Sequence, residues 1–336
     1  MKSSIRLVGL WLLLISAVAC GQPEAEDSSP TEAPAIRGAL AKSPADGLQL
    51  PSVEAMAPPT EPPIDENQTF DKARAFSYLE AQMAFGPRWP GSQGHKLVGD
   101  YIVEQLTANG WQVERQPFEY QGFSASNIIA RANVGKGAII IVGAHFDTRR
   151  LADQTPGAAE AMIPVPGAVD GASGVAVLLE LSKSLDLDEV PRELWLAFFD
   201  VEDNGSGGLP GWSYIAGSTY MAANLEQLPE SMVLVDMIGD ADQQLYYEGN
   251  SDPALREQLW QIAADLGYND SFIPSVKYTM IDDHLPFARL GVAAVDLIDF
   301  DYPYWHTVDD TTDKASPDSL GSVGETIESW LEHHLE

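Results

Sequence analysis

Histidines and carboxylates recur in this chain directly after short apolar runs. Gly143-Ala144-His145-Phe146-Asp147 closes one such run, and its two-residue spacing points His145 and Asp147 the same way in an extended segment. A histidine held by a nearby carboxylate is a usual arrangement around a metal ion. Asp170 lies in Val169-Asp170-Gly171-Ala172-Ser173-Gly174, just ahead of a helical stretch, where an acid can equally serve as a cap. A second run ends in Asp200-Val201-Glu202-Asp203, a third delivers Asp236, and a fourth is followed by Trp305-His306-Thr307-Val308-Asp309-Asp310. Singly, each has an ordinary reading as a solvated turn or a helix start. Together they set two histidines and several carboxylates after successive buried strands. Carboxylates gathered in one place repel one another and are costly to bury unpaired; a divalent cation removes that problem. Histidine combined with Asp/Glu oxygens suits zinc, with manganese or cobalt as alternatives.

The elements that must position these groups are legible as periodicity. Residues 138–142, 194–199, 232–235 and 292–298 are nearly continuous apolar runs, as expected of central strands covered on both faces. Residues 111–119 and 126–133 alternate as strands do. Helices are expected at 71–84, with Asp71 as N-cap, and at 93–109, 173–185, 253–266 and 318–334. Strand–helix alternation predicts a single-domain α/β sandwich, with a mostly parallel central sheet flanked by helices. In such sheets sites form beyond the carboxyl ends of the strands, which is where the histidines and acids fall.

Five segments in order, GAHFDT, VDGASGVAVLLELS, FFDVED, VDMIG and WHTVDD, resemble the zinc exopeptidases of metallopeptidase family 28. That family includes bacterial leucyl aminopeptidases and the glutaminyl-peptide cyclotransferases (glutaminyl cyclases). The resemblance covers about residues 70–334. It implies a zinc exopeptidase-like fold, one or two zinc ions, and peptide or protein N-termini as substrate. It places the metal ligands at His145, Asp170, Asp203, Asp236 and His306, with Asp170 bridging two metals in the peptidases, and the general acid/base at Glu202. Asp203 departs from the commoner Glu at its position, a shorter but competent oxygen ligand.

Two chemistries use this kit. In a peptidase, zinc lowers the pKa of bound water toward about 7 and a carboxylate takes its proton. In a cyclase, zinc polarises the side-chain amide of an N-terminal glutamine, the α-amine attacks, and the carboxylate carries a proton to departing ammonia. Three stretches resemble the cyclases: Ser126-Asn127-Ile128-Ile129, Trp212-Ser213 with Gly217-Ser218, and Ile281-Asp282-Asp283-His284-Leu285-Pro286-Phe287. Asp282 falls where the aminopeptidases usually have a small hydroxyl residue; in cyclases it hydrogen-bonds an acidic network that includes the counterpart of Asp236. Trp305 matches the tryptophan beside the last metal ligand, a flat wall for a small side chain. Against this, Asp296 stands where animal cyclases carry a histidine, and VDGASGVA is closer to the peptidase wording. The expected activity is therefore glutaminyl cyclisation, an acyl transfer. Aminopeptidase hydrolysis is the alternative, and a non-catalytic binding domain ranks below both.

The remaining features have plainer readings. His95, on an amphipathic helix, and His333 and His334, in a polar tail, read as surface residues; His284 reads as a helix-start or structural residue. Gly205, Gly207, Gly208 and Gly211 suggest a flexible loop, not a phosphate cradle, and there is no GxSxG elbow of a serine hydrolase. With 50 Asp+Glu against 19 Lys+Arg, a net charge of −31, the chain is a poor partner for nucleic acid. Lys2 and Arg6 precede an apolar run at 7–19, too short to span a bilayer of about 30 Å as a helix, and the run reads as a signal peptide. Its end, Ala17-Val18-Ala19-Cys20, resembles the bacterial lipobox, which implies lipidation of Cys20, the single cysteine, and an exported, membrane-anchored lipoprotein of the cell envelope. Residues 21–68 hold nine prolines and nine acids and read as a flexible tether, leaving 69–336 as the catalytic domain.

Overall fold

The computed structural model describes residues 69–335; the expected signal peptide and tether, 1–68, lie outside the described residues. The chain enters through two helices, α1 (Lys72–Met83) and α2 (Gln93–Ala108). Asp71 caps α1 by accepting from the amides of Ala73 and Arg74, and Ser92 caps α2 through the amide of His95. Strands β1 (Gln112–Tyr120) and β2 (Phe123–Ala132) then form a hairpin. The buried runs become β3 (Ile139–His145), β4 (Glu193–Phe199), β5 (Ser231–Asp236) and β8 (Ala293–Ile298). Between them lie α3 (Ala172–Ser184), α4 (Ala216–Ala223), α5 (Pro253–Asp265) and a four-residue α6 (Leu285–Ala288); α7 (Pro317–His333) closes the domain.

The six strands are ordered β1-β2-β4-β3-β5-β8. β3 is parallel to β4 and β5, and β5 to β8, while β1–β2 and β2–β4 are antiparallel. The mostly parallel α/β sandwich therefore stands as expected, with an antiparallel hairpin at one edge. A second, two-stranded ribbon of β6 (Leu245–Glu248) and β7 (Phe272–Tyr278) is an addition that the apolar runs do not announce.

Alternate residues of each central strand feed two cores. Ile140, Val142, Leu196, Val233 and Val295 pack with α1, α2, α3, α5 and α7. Ile141, Ala197, Phe199 and Leu234 pack on the opposite face against Met221 of α4 and Phe287 of α6. Burial on both faces is why these strands read as unbroken apolar runs. The parallel arrangement sets the carboxyl ends of β3, β4, β5 and β8 along one rim.

Candidate metal centre and active site

His145 is the last residue of β3 and Asp236 the last of β5, while Asp170 precedes α3 and Asp203 and His306 follow β4 and β8. All five are buried. They form two groups, His145/Asp170/Asp236 and Asp170/Asp203/His306, and within each group one ligand atom per residue lies within 4.8 Å of the others. Asp170 belongs to both. Its Oδ1 is 3.2 Å from His145 Nε2 and its Oδ2 is 3.8 Å from His306 Nε2. Asp236 Oδ1 lies 3.0 Å from His145 Nε2, and Asp203 Oδ1 lies 2.8 Å from His306 Nε2.

The donor set fits a cation. His145 Nδ1 is 3.1 Å from the main-chain oxygen of Asp147, which can only accept, so Nδ1 carries a proton, and Nε2, which faces Asp170 and Asp236, is the nitrogen that would ligate a cation on giving up its own. Asp203 Oδ2 is buried without a hydrogen-bond partner. Nitrogen and carboxylate oxygens arranged in this way suit zinc and its neighbours in the first transition row. The backbone packs closely on the histidine: a Cβ on Gly171 would sit 2.5 Å from the His145 ring.

Electrostatics point the same way. Burial disfavours the charged imidazolium of His145, yet the nearby Asp236 and Asp170 carboxylates pull its pKa well above the usual 6.5. Glu202 is pushed well above the ordinary carboxylate range by burial, with Asp203, Asp283 and Asp236 adding repulsion and His145 opposing it. Asp282 is raised likewise by burial and by Asp296 and Asp236. A divalent cation between the ligands relieves this crowding.

Glu202, Asp236, Asp282 and Trp305 line one cavity of about 260 Å³, together with Tyr214, Ile281 and Phe300. Trp305 stacks on His306, with ring centroids 3.8 Å apart, and meets Phe300 edge-on at 5.1 Å. The four residues expected to do chemistry and the five expected to hold metal are thus brought together.

Several readings change. The Asp147 carboxylate is 3.9 Å from His145 and chiefly serves the next strand end. It accepts from the amides of Glu202 at 2.9 Å and Asp203 at 3.4 Å, and from Asn204 Nδ2 at 3.1 Å. The partner histidine of the sequence pattern is held by main chain, and β3 ends at His145, before Asp147. His95 is not a surface residue: its side chain is 12% exposed and its Nε2 is 2.7 Å from Asp200 Oδ1. The glycine-rich segment is packed in part, with Gly205 against the Tyr214 ring and Gly207, at φ +91°, beside Asp153 and Arg149, while Gly211 faces open space. His284 is structural as expected, fully buried between Glu248 at 3.3 Å and Asp296 at 3.6 Å. Sequence reasoning missed Asp153 and Arg149. Asp153 Oδ1 faces His306 Nδ1 at 3.5 Å, and Arg149 grips both Asp153 oxygens at 2.8 Å and the Asp203 carbonyl at 2.7 Å. The Arg149/Asp153 spacing of four was the only signal available.

The family model of peptidase family M28 matches residues 127–331, more than half of the chain, and the chain belongs to that family. Among solved structures, it is similar to a glutaminyl cyclase of Porphyromonas gingivalis, with 32% identity, TM-score 0.75, and coverage of 79% of this chain and 99% of that one. It is similar to a Zn-dependent exopeptidase from Parabacteroides distasonis, with 29% identity, TM-score 0.75, and coverage of 80% and 99%. A glutaminyl-peptide cyclotransferase of the snake Boiga irregularis is 26% identical over 293 residues, 74% of this chain and 77% of that one.

Proposed function

We propose that the protein is a zinc-dependent glutaminyl-peptide cyclotransferase, converting an N-terminal glutamine to pyroglutamate with release of ammonia. The observation that carries this reading is the joint placement of Asp282 and Trp305 with Glu202 in one small cavity beside the two metal-ligand groups. Likeness to solved and curated glutaminyl cyclases supports it. His145, Asp170, Asp203, Asp236 and His306 would hold the zinc. When bound, zinc would polarise the glutamine side-chain carbonyl and stabilise charge on its oxygen.

The chain's own residues do the rest. Trp305 and Phe300 form an aromatic wall that orients the flat amide. The reaction is intramolecular, so holding the α-amine against the amide carbon supplies much of the acceleration. Glu202 takes a proton from the attacking amine as the C–N bond forms, and returns it to the nitrogen that leaves as ammonia. Its raised pKa favours the half of the reaction in which it donates. Asp282 and Asp236 face the same cavity, and the Asp236 carboxylate adds to the repulsion that raises Glu202.

Hydrolysis of N-terminal residues is the second reading, favoured by Asp170 belonging to both ligand groups and by likeness to the Zn-dependent exopeptidase. The mass of the products separates the two: a Gln-peptide that loses ammonia with its chain intact supports cyclisation, and a released amino acid supports hydrolysis. The proposal extends to location, with the domain tethered through 21–68 to a lipidated Cys20 at the cell envelope. Cys20→Ser should then release the protein from the membrane fraction; unchanged membrane association would refute the anchor.

A further inference from the structure

We infer that His95 is a positioning residue for Glu202, acting through Asp200. The inference rests on the role proposed above for Glu202. His95 lies in the first turn of α2, stacked on Phe146 with centroids 5.4 Å apart and set edge-on to Phe123. Its Nε2 contacts Asp200 Oδ1 at 2.7 Å. The other Asp200 oxygen accepts from the Ser126 amide at 2.8 Å, and the Asp200 amide donates to Asn127 Oδ1 at 3.1 Å. Asp200 is therefore gripped from α2 and from β2, two residues before Glu202.

The next residue explains why the grip matters. Val201 has φ +59°, in the left-handed region that a β-branched residue avoids. Such a conformation is strained and persists only where its surroundings over-determine it. Behind Val201, the amides of Ala216 and Ile215 hold the carbonyls of Val201 and Glu202, each at 3.1 Å, and Asp147 holds the Glu202 amide. Ahead of it stands the Asp200 clamp, and His95 supplies its side-chain partner from α2.

His95, like Asp200 and Ser126, is reached from outside the active-site cavity. It lines a separate open cavity of about 550 Å³, with Phe123, Ser126, Phe146 and Asp200. The charged groups around it are Lys96 and Asp100 on α2, Arg115 on β1, Asp147 beyond β3 and Asp200 beyond β4; β2 offers Phe123, Ser124 and Ser126. Lys96 and Arg115 both pair with Asp100, which leaves Asp200 to His95. Burial works against the imidazolium, but the hydrogen bond and attraction of Asp200, with Asp147 adding, hold its pKa above 6.5. The pair is complete below that value and is lost as pH rises through the raised one.

Kinetics of the zinc-loaded protein on one Gln-peptide, across pH, test this. His95→Gln should lower kcat about tenfold near neutral pH, as a small misplacement does, while KM stays within about twofold. His95→Lys, charged across the range, should keep the wild-type kcat and lose the alkaline decline due to His95. An unchanged kcat in His95→Gln, or a His95→Lys variant with the wild-type profile, overturns the inference. Amide exchange of residues 199–204 decides independently of activity. It should be faster in His95→Gln than in wild type at neutral pH, with the difference closing at alkaline pH. If wild type does not turn over Gln-peptides, the proposed function fails while exchange still decides on His95; equal exchange in both proteins rejects it.

Discussion

Glu202 is placed by other residues more than by its own contacts. Its amide is fixed by Asp147, its carbonyl by Ile215, and its side chain is left facing the cavity. Glu202→Gln keeps that shape and removes the proton carrier. Turnover should fall by about 10²–10⁴-fold while zinc content is retained, measured by metal analysis alongside the assay. A variant that keeps wild-type turnover shows that another group moves the proton. Asp153 makes a different prediction at the same scale. It faces the outer nitrogen of His306 and is locked by Arg149, so Asp153→Asn should weaken zinc binding about 10–100-fold, read by competition with a chelating dye. The five metal-binding candidates were readable in the sequence through short motifs that resemble those of the family: His145 and Asp236 end strands, Asp203 follows one closely, Asp170 precedes α3 and His306 lies beyond β8. Asp153 and His95 were not. Their partners lie 153 and 105 residues away, and an i,i+4 pair or a helical histidine has the same local pattern whether it faces solvent or a loop.

At the scale of elements, the site depends on strands whose ends stay level, and these are braced by helices packed on one face. α1 and α3 are joined by a fork in which Arg74 meets both oxygens of Glu180, and Glu180 also accepts from the Asp71 amide. Glu180 is fully buried while Arg74 is a quarter exposed. Arg74→Ala leaves a buried carboxylate short of its cation and should destabilise the domain by about 2 kcal/mol in a denaturant melt. A change near zero would mean that the Asp71 amide and water suffice. The long helices and most buried strands fell within a residue or two of the expected bounds, since burial on one or both faces writes itself as periodicity, while β3 runs three residues past its expected end and β2 starts three before its expected start. β7 was invisible because most of its residues are half-exposed or exposed and Pro274 interrupts it. α4, with Gly217 and Ser218 in its first turn, has the composition of a loop and is helical because Met221 and Ala222 pack on the sheet.

For the whole molecule the acid excess has a division of labour. Residues 69–336 carry about −26 of the net −31, and the buried acids at the strand ends would be neutralised by bound metal. Metal should therefore be a folding partner. Zinc at a hundredfold its dissociation constant should stabilise the domain by about 2.7 kcal/mol, and a chelator should lower the melting temperature reversibly. A melting temperature indifferent to chelation would argue against a metal centre. The remaining charge favours approach of cationic N-termini, which both candidate reactions require. What separates those reactions is where the attacking atom comes from: the substrate's own amine or water. The most direct measurement offers the zinc-loaded domain an equal mixture of a Gln-peptide and a Leu-peptide in heavy-oxygen water and reads both by mass. The Gln-peptide should lose ammonia, gain no heavy oxygen and keep its chain, while the Leu-peptide stays untouched. Released leucine, or a product carrying heavy oxygen at a new carboxylate, would contradict it.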